Sequence, residues 1–222
     1  LQSPDGKLKA VVEVDKSIEF SVSHDGTEVL ALSPISMSLQ GGEVLGADPK
    51  VSKVTKGTVN KIIPAQFYKK TAVTDTYNAM TLLFKGNYSV EFRAYNDGLA
   101  YRFVTKKKGE IVVTAEEASY NFSKDYSTFA PYVNSRAATF EEQYFNSFEQ
   151  PYVNEPITKL NDKRLMILPF LVSLDNGKKL CITEADLEDF PGLFLNNTTD
   201  KPSLKAVHAP YPKVVEQGGH NQ

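Results

Sequence analysis

Four carboxylates, Glu184, Asp186, Glu188 and Asp189, fall within six positions near the end of this 222-residue chain. Carboxylates this close together offer two outcomes. Calcium takes about six to eight oxygen ligands, several of them carboxylates, whereas an acidic turn on the surface is simply solvated. An EF-hand loop is excluded, because the Asp/Asn spacing and the central glycine it requires are missing. Residue types alone favour the solvated turn. Glu184 differs from the other three because it closes the apolar run Leu180–Thr183, and a strand end is where a rigid element presents a carboxylate to a neighbouring site.

The other chemistry-bearing residues point away from catalysis. His24 stands beside Asp25-Gly26 in a predicted turn, and His208 and His220 flank a predicted connector. A metal triad or a Ser-His-Asp arrangement needs histidine on well-ordered elements, so these positions predict no catalytic histidine. Cys181 is the single cysteine, which excludes an internal disulfide and a cysteine-based zinc site. Its place between Leu180 and Ile182 predicts a buried structural thiol. Gly41-Gly42 and Gly218-Gly219 lack the context of a phosphate-binding loop. Asn87, Asn121, Asn196 and Asn197 begin Asn-X-Ser/Thr sequons, which matter only in a glycosylating host.

Aromatic residues crowd the stretch from Ser119 to Tyr152, among them Tyr120, Tyr126, Phe129, Tyr132, Tyr144, Phe145 and Tyr152. Three roles fit that density: a core beneath long connections, a surface that docks another domain, or a platform for sugar rings. The absence of Trp weighs against the platform.

The elements that must position these residues are strands. Leu8, Ala10, Val12 and Val14 share one face, and Ile18, Phe20 and Val22 share the next. Asp25-Gly26, Gly86-Asn87, Asn96-Asp97-Gly98 and Asp175-Asn176-Gly177 punctuate the alternation, and such pairs supply the positive φ angles of tight hairpins. No window of about 12 residues holds a clean helical stripe; Ala137–Phe148 predicts one short helix or helical turn at most. The expected fold is all-β, a large antiparallel β-sandwich over residues 1–208. Residues 209–222, with Pro210, Pro212, Gly218 and Gly219, read as a connector. It is followed by no capping element, which reads as truncation.

Bulk composition bounds the partners. Net charge is −2, pI about 6.0 and mean hydropathy −0.32, so no global excess of basic charge argues for nucleic acid or an anionic membrane. Lys106-Lys107-Lys108 reads as a solvated turn. No apolar stretch approaches the ~18 residues of a transmembrane segment.

Several short segments, taken in order, carry a resemblance. They are Ser3-Pro-Asp-Gly6, Glu91-Phe-Arg-Ala-Tyr-Asn-Asp-Gly-Leu-Ala-Tyr-Arg-Phe103, Thr183-Glu-Ala-Asp-Leu187 and Gln217-Gly-Gly-His220. Across essentially its whole length the chain resembles the N-terminal domain of glycoside hydrolase family 97, bacterial α-glucosidases and α-galactosidases. The resemblance implies a super-sandwich of the galactose-mutarotase-like type, leading through the connector to a C-terminal catalytic (β/α)8 barrel. It also implies that Glu184 is a calcium ligand beside the substrate, with further glutamates supplied by the barrel. Catalytic carboxylates would lie on that barrel, so this chain alone is expected to be inert. The choice between α-glucoside and α-galactoside, and between inversion and retention, would lie there too. The implied partners are the barrel of the same polypeptide and an oligosaccharide substrate. Leu1-Gln-Ser-Pro-Asp-Gly6 reads as a mature start after a removed export signal, so a periplasmic or secreted location is expected. A free-standing carbohydrate-binding module, or a purely structural interaction domain, is the alternative reading.

Overall fold

The computed structural model describes residues 1–134, 136, 139–145, 149–188, 190–198 and 200–211. The chain divides into two compact units, Leu1–Lys124 and a second beginning at Asp125. Each is built from antiparallel strands, as the alternation predicts. His220, Asp189, Phe148 and the Gln217–His220 segment lie outside the described residues.

The first unit holds two sheets. Strands β1 (Leu8–Val14), β2 (Ile18–His24) and β3 (Thr27–Leu39) follow one another, and the two-residue β4 (Val44–Leu45) pairs with the end of β3. Strands β5 (Val51–Pro64), β6 (Ala72–Phe84), β7 (Tyr88–Ala94) and β8 (Leu99–Thr105) form a four-stranded meander. Strand β9 (Val113–Asn121) then returns to pair with β3. Every second residue of β2 is buried: Ile18, Phe20 and Val22. Phe20 meets Phe92 of β7 at 5.9 Å between ring centroids and Tyr101 of β8 at 5.5 Å. Those contacts place the inner faces of the two sheets against each other, which makes the unit a sandwich.

Turn chemistry follows the sequence in most places. Asp25 (φ 48°) with Gly26 (φ 72°), and Gly86 (φ 99°) with Asn87 (φ 60°), take the left-handed angles of tight hairpins. The β7–β8 turn differs from expectation, because none of Asn96, Asp97 and Gly98 has a positive φ. There the chain closes a wider loop by a hydrogen bond from the Tyr95 N–H to the Gly98 carbonyl at 2.8 Å. The Asn96 Oδ1 is thereby left to accept the Asp5 N–H at 3.1 Å.

The second unit has a three-stranded sheet, β10 (Ser127–Phe129), β11 (Phe170–Ser173) and β12 (Lys179–Ile182), and a hairpin of β13 (Leu193–Asn197) with β14 (Ser203–His208). Between β10 and β11 runs a long irregular stretch with 3-10 turns at Glu141–Tyr144 and Ile157–Lys159. The first of these is the helical turn expected within Ala137–Phe148. Irregular backbone buried in a domain must still find hydrogen-bond partners, and polar side chains supply them. The Gln143 amide donates to the Lys163 carbonyl at 2.9 Å and accepts the Leu165 N–H at 2.8 Å. Asn196 donates to the carbonyls of Asp162 and Arg164, and Asn197 to that of Leu160. Around them pack Val133, Ile157, Leu165, Met166, Phe170 and Leu195, all fully buried.

Cys181 departs from the sequence expectation. It is exposed, because alternation along β12 turns Ile182 inward and Cys181 outward. Strand β14 ends at His208, where the connector is expected to start, and residues 209–211 carry no regular structure. Among the described residues no helix is long and apolar enough to cross a membrane.

Candidate functional site around Glu184

The β11–β12 hairpin presents Glu184. Its turn, Asp175-Asn176-Gly177, places Asn176 at φ 58° and Gly177 at φ 73°, and the register then runs from Ser173↔Lys179 to Phe170↔Ile182. Two residues beyond Ile182 comes Glu184, half-buried. Both of its carboxylate oxygens accept the Leu193 N–H, at 2.9 and 3.1 Å. Leu193 is the first residue of β13, so the carboxylate ties the end of one strand to the start of the next. An ionised acceptor makes a stronger hydrogen bond than a neutral one. The intervening loop is therefore closed at its neck by Glu184. Gly192 lies beneath the carboxylate; a Cβ there would sit 3.5 Å from Oε1, in ordinary contact.

Across the β13–β14 ladder, Leu193 faces His208. The Phe190 ring stands edge-on to the imidazole, 5.8 Å away with an interplanar angle of 84°. Burial lowers the His208 pKa below its ordinary value, because the charged form is disfavoured out of water. His208, expected to flank the connector, is the last residue of β14, across the ladder from the residue that Glu184 holds. The signal available in the sequence was the run Ser203–His208, which alternates weakly and stops two residues before Pro210.

Of the other carboxylates, the two that are described behave as a solvated turn. Asp186 and Glu188 are exposed, and Asp186 adopts φ 60°. Among the described residues no three His, Cys, Asp or Glu side chains converge on a point that would hold a metal. Glu184 is thus a single carboxylate, rigidly placed, with one N–H already bound. A carboxylate has about four lone-pair positions, so Glu184 retains acceptor capacity. It fits a cation as one ligand of a set completed from outside the described residues.

The aromatic stretch separates into two groups. Tyr132 is buried and its hydroxyl accepts the Asn161 N–H at 2.8 Å. Phe122 is buried, and Tyr144 packs edge-on against Phe194 at 5.3 Å. Phe129, Phe145 and Tyr152 are exposed. Much of the stretch is therefore core, and Tyr132 offers no face to a sugar. His24 lies 3.3 Å from the Asp25 carboxylate at the β2–β3 turn.

Comparison with known proteins gives a consistent answer. The sequence model of the family described as Glycosyl-hydrolase 97 N-terminal matches residues 1–213. A curated relative, the retaining alpha-galactosidase of Bacteroides thetaiotaomicron, is 44% identical over 223 residues, covering 100% of this chain and 34% of the relative. The chain thus spans about a third of the length of the curated relative it matches. Among solved structures, a glycoside hydrolase family 97 enzyme from Pseudoalteromonas sp. strain K8, in complex with acarbose, superposes with a TM-score of 0.78 at 23% identity. That match covers 94% of this chain and 31% of the other. A beta-arabinopyranosidase superposes with a TM-score of 0.79 at 18% identity, over 93% of this chain and 35% of that one. Both structural likenesses speak for the fold, and the sequence match over residues 1–213 speaks for the lineage: the chain belongs to the Glycosyl-hydrolase 97 N-terminal family.

Proposed function

We propose that this chain is the N-terminal domain of a larger exported bacterial α-glycosidase, and that it packs against a catalytic (β/α)8 barrel of the same polypeptide. The observation that carries the reading is the 44% identity, along the whole chain, to a retaining alpha-galactosidase about three times as long. That relative also favours α-galactosides over α-glucosides as the substrate class. The chain's part is to wall one side of the sugar pocket and to hold Glu184 at its edge as one ligand of a calcium ion. When bound, such an ion polarises a sugar oxygen or orients water. The role of Glu184 is positional: a half-buried carboxylate fixed through the Leu193 N–H loses little freedom on accepting a cation.

Glycoside hydrolysis in most families needs a pair of carboxylates flanking one bond. In this reading that pair lies on the barrel, and Glu184 is not one of the two. The test compares the 222-residue chain with the complete polypeptide on a chromogenic α-galactoside. Hydrolysis by the complete polypeptide and none by the chain alone supports the reading. Hydrolysis by the chain alone, or a complete polypeptide that leaves α-galactosides intact, refutes it.

A further inference from the structure

Strand β6 pairs with β7 from Phe84 back to Asn78, but its pairing with β5 continues past that point, from Val59↔Tyr77 to Pro64↔Ala72. Those rungs form a two-stranded ribbon about 20 Å long, closed at its apex by a hydrogen bond from the Ala65 N–H to the Thr71 carbonyl at 3.0 Å. Among the described residues no further strand pairs with either member of the ribbon there, so both of its edges are open.

The base of the ribbon is satisfied within itself. The Thr58 hydroxyl donates to Asn78 Oδ1 and the Thr76 hydroxyl to Asn60 Oδ1, each at 2.8 Å, and Lys61 pairs with Asp75 at 3.4 Å. Beyond that rung the character changes. Ile62 and Pro64 share one face, and Ile63 stands opposite Val73 on the other; all four are exposed. At the apex Phe67 is fully exposed and Tyr68 is more than half exposed. A sheet resting on a neighbour has one apolar face. A tip that is apolar on both faces has the form of a plug, which a partner must surround.

Two features identify that partner. The tip carries Lys69 and Lys70, and residues 62–74 contain no Asp or Glu; neither lysine has an ion-pair partner among the described residues. Hydrocarbon offers nothing to the backbone groups of two open strand edges, whereas a protein cleft can hydrogen-bond them and meet the lysines with carboxylates. The second feature is size. A stable interface between separate proteins takes about 20–30 residues a side, and residues 62–73 fall well short of that. A plug this small suffices when the partner is tethered, because a covalent link holds it at an effective concentration of about millimolar. The curated relative, matched along the whole of this chain, is about three times as long.

We infer that the ribbon tip, residues 62–73, seats in a cleft of the remaining polypeptide, apolar within and carboxylate-lined at its mouth. It thereby fixes the first unit to the catalytic part. This rests on the proposed function only in requiring that the polypeptide continue into a further folded domain.

Limited trypsin digestion of the complete polypeptide tests it, read as cleavage after Lys69 and Lys70. The expected rate is about tenfold or more below that of the complete Ile62→Asp/Phe67→Asp polypeptide, whose charged tip leaves the cleft. Both positions are exposed in this chain, and circular dichroism checks that the variant is folded. Hydrogen exchange across residues 62–73 of the unsubstituted polypeptide is the second measure, with protection expected. Equal cleavage rates in the two polypeptides, or unprotected amides, overturn the proposal. Shielding that is lost on dilution points to a second copy, and shielding gained only with phosphatidylglycerol vesicles points to a lipid surface; either overturns it too. A shielded tip in a polypeptide that leaves α-galactosides intact upholds the docking and refutes the hydrolase reading. A freely cut tip in an active polypeptide does the reverse.

Discussion

Glu184 does two things that one substitution separates. Its carboxylate closes the neck of the loop between β12 and β13 through the Leu193 N–H, and in our reading it also faces a cation. Glu184→Gln keeps an acceptor for that N–H and removes the charge, whereas Glu184→Ala leaves the N–H without its partner. Chemical denaturation of the chain should show Glu184→Ala losing about 1 kcal/mol and Glu184→Gln clearly less. Equal losses would mean that the charge, not the acceptor, holds the loop. His208 makes a separate prediction. Its folded pKa is depressed by burial from the ordinary 6.5, so on acidification the unfolded chain takes up the proton first. The stability it contributes is complete above about pH 6.5 and is lost as pH falls through the lower folded value. Thermal melts from about pH 8 to about pH 5 should decline less steeply for His208→Gln than for wild type. Parallel slopes would remove His208 as the cause.

At the scale of the element, the legible strands were those with one wet face. Ile18, Phe20 and Val22 alternate with polar residues and do line the core, and Asp25-Gly26 and Asp175-Asn176-Gly177 turn the chain where their chemistry allows positive φ. The part of the β5–β6 pair that runs past Asn78, where β6 stops pairing with β7, was not legible by that rule, because β5 is wet on both faces and alternation records only the contrast between faces. Cys181 was misread for a related reason: in a strand of four residues the neighbours on either side are apolar, and only the pairing decides which of them faces in. Position 46 shows what sequence reading leaves unseen. Gly46 sits at φ 102°, where a Cβ would stand 3.0 Å from the Ile35 carbonyl oxygen, and its N–H donates to the Tyr88 hydroxyl at 3.2 Å. Gly46→Ala should therefore cost about 1–2 kcal/mol by urea denaturation. A neutral result would mean that β4 shifts freely off β3.

In the whole molecule, the chain forms two compact β units, and Glu184 belongs to the second. Family membership follows from the match over residues 1–213. The fold class was evident from alternation and turns alone, while the place of Glu184 depended on the family resemblance, since a lone carboxylate after a strand has no signature of its own. The tether to Leu193 is what the structure adds: it gives that glutamate a fixed position. In our reading this position serves a calcium ion in a larger enzyme. Calcium titration by calorimetry, on the complete polypeptide and its Glu184→Gln variant, tests it most directly. Affinity weakened by about tenfold or more, with turnover falling in parallel, is the expected result. Unchanged affinity and turnover in a folded variant would contradict it and leave Glu184 as a structural tie between two strands.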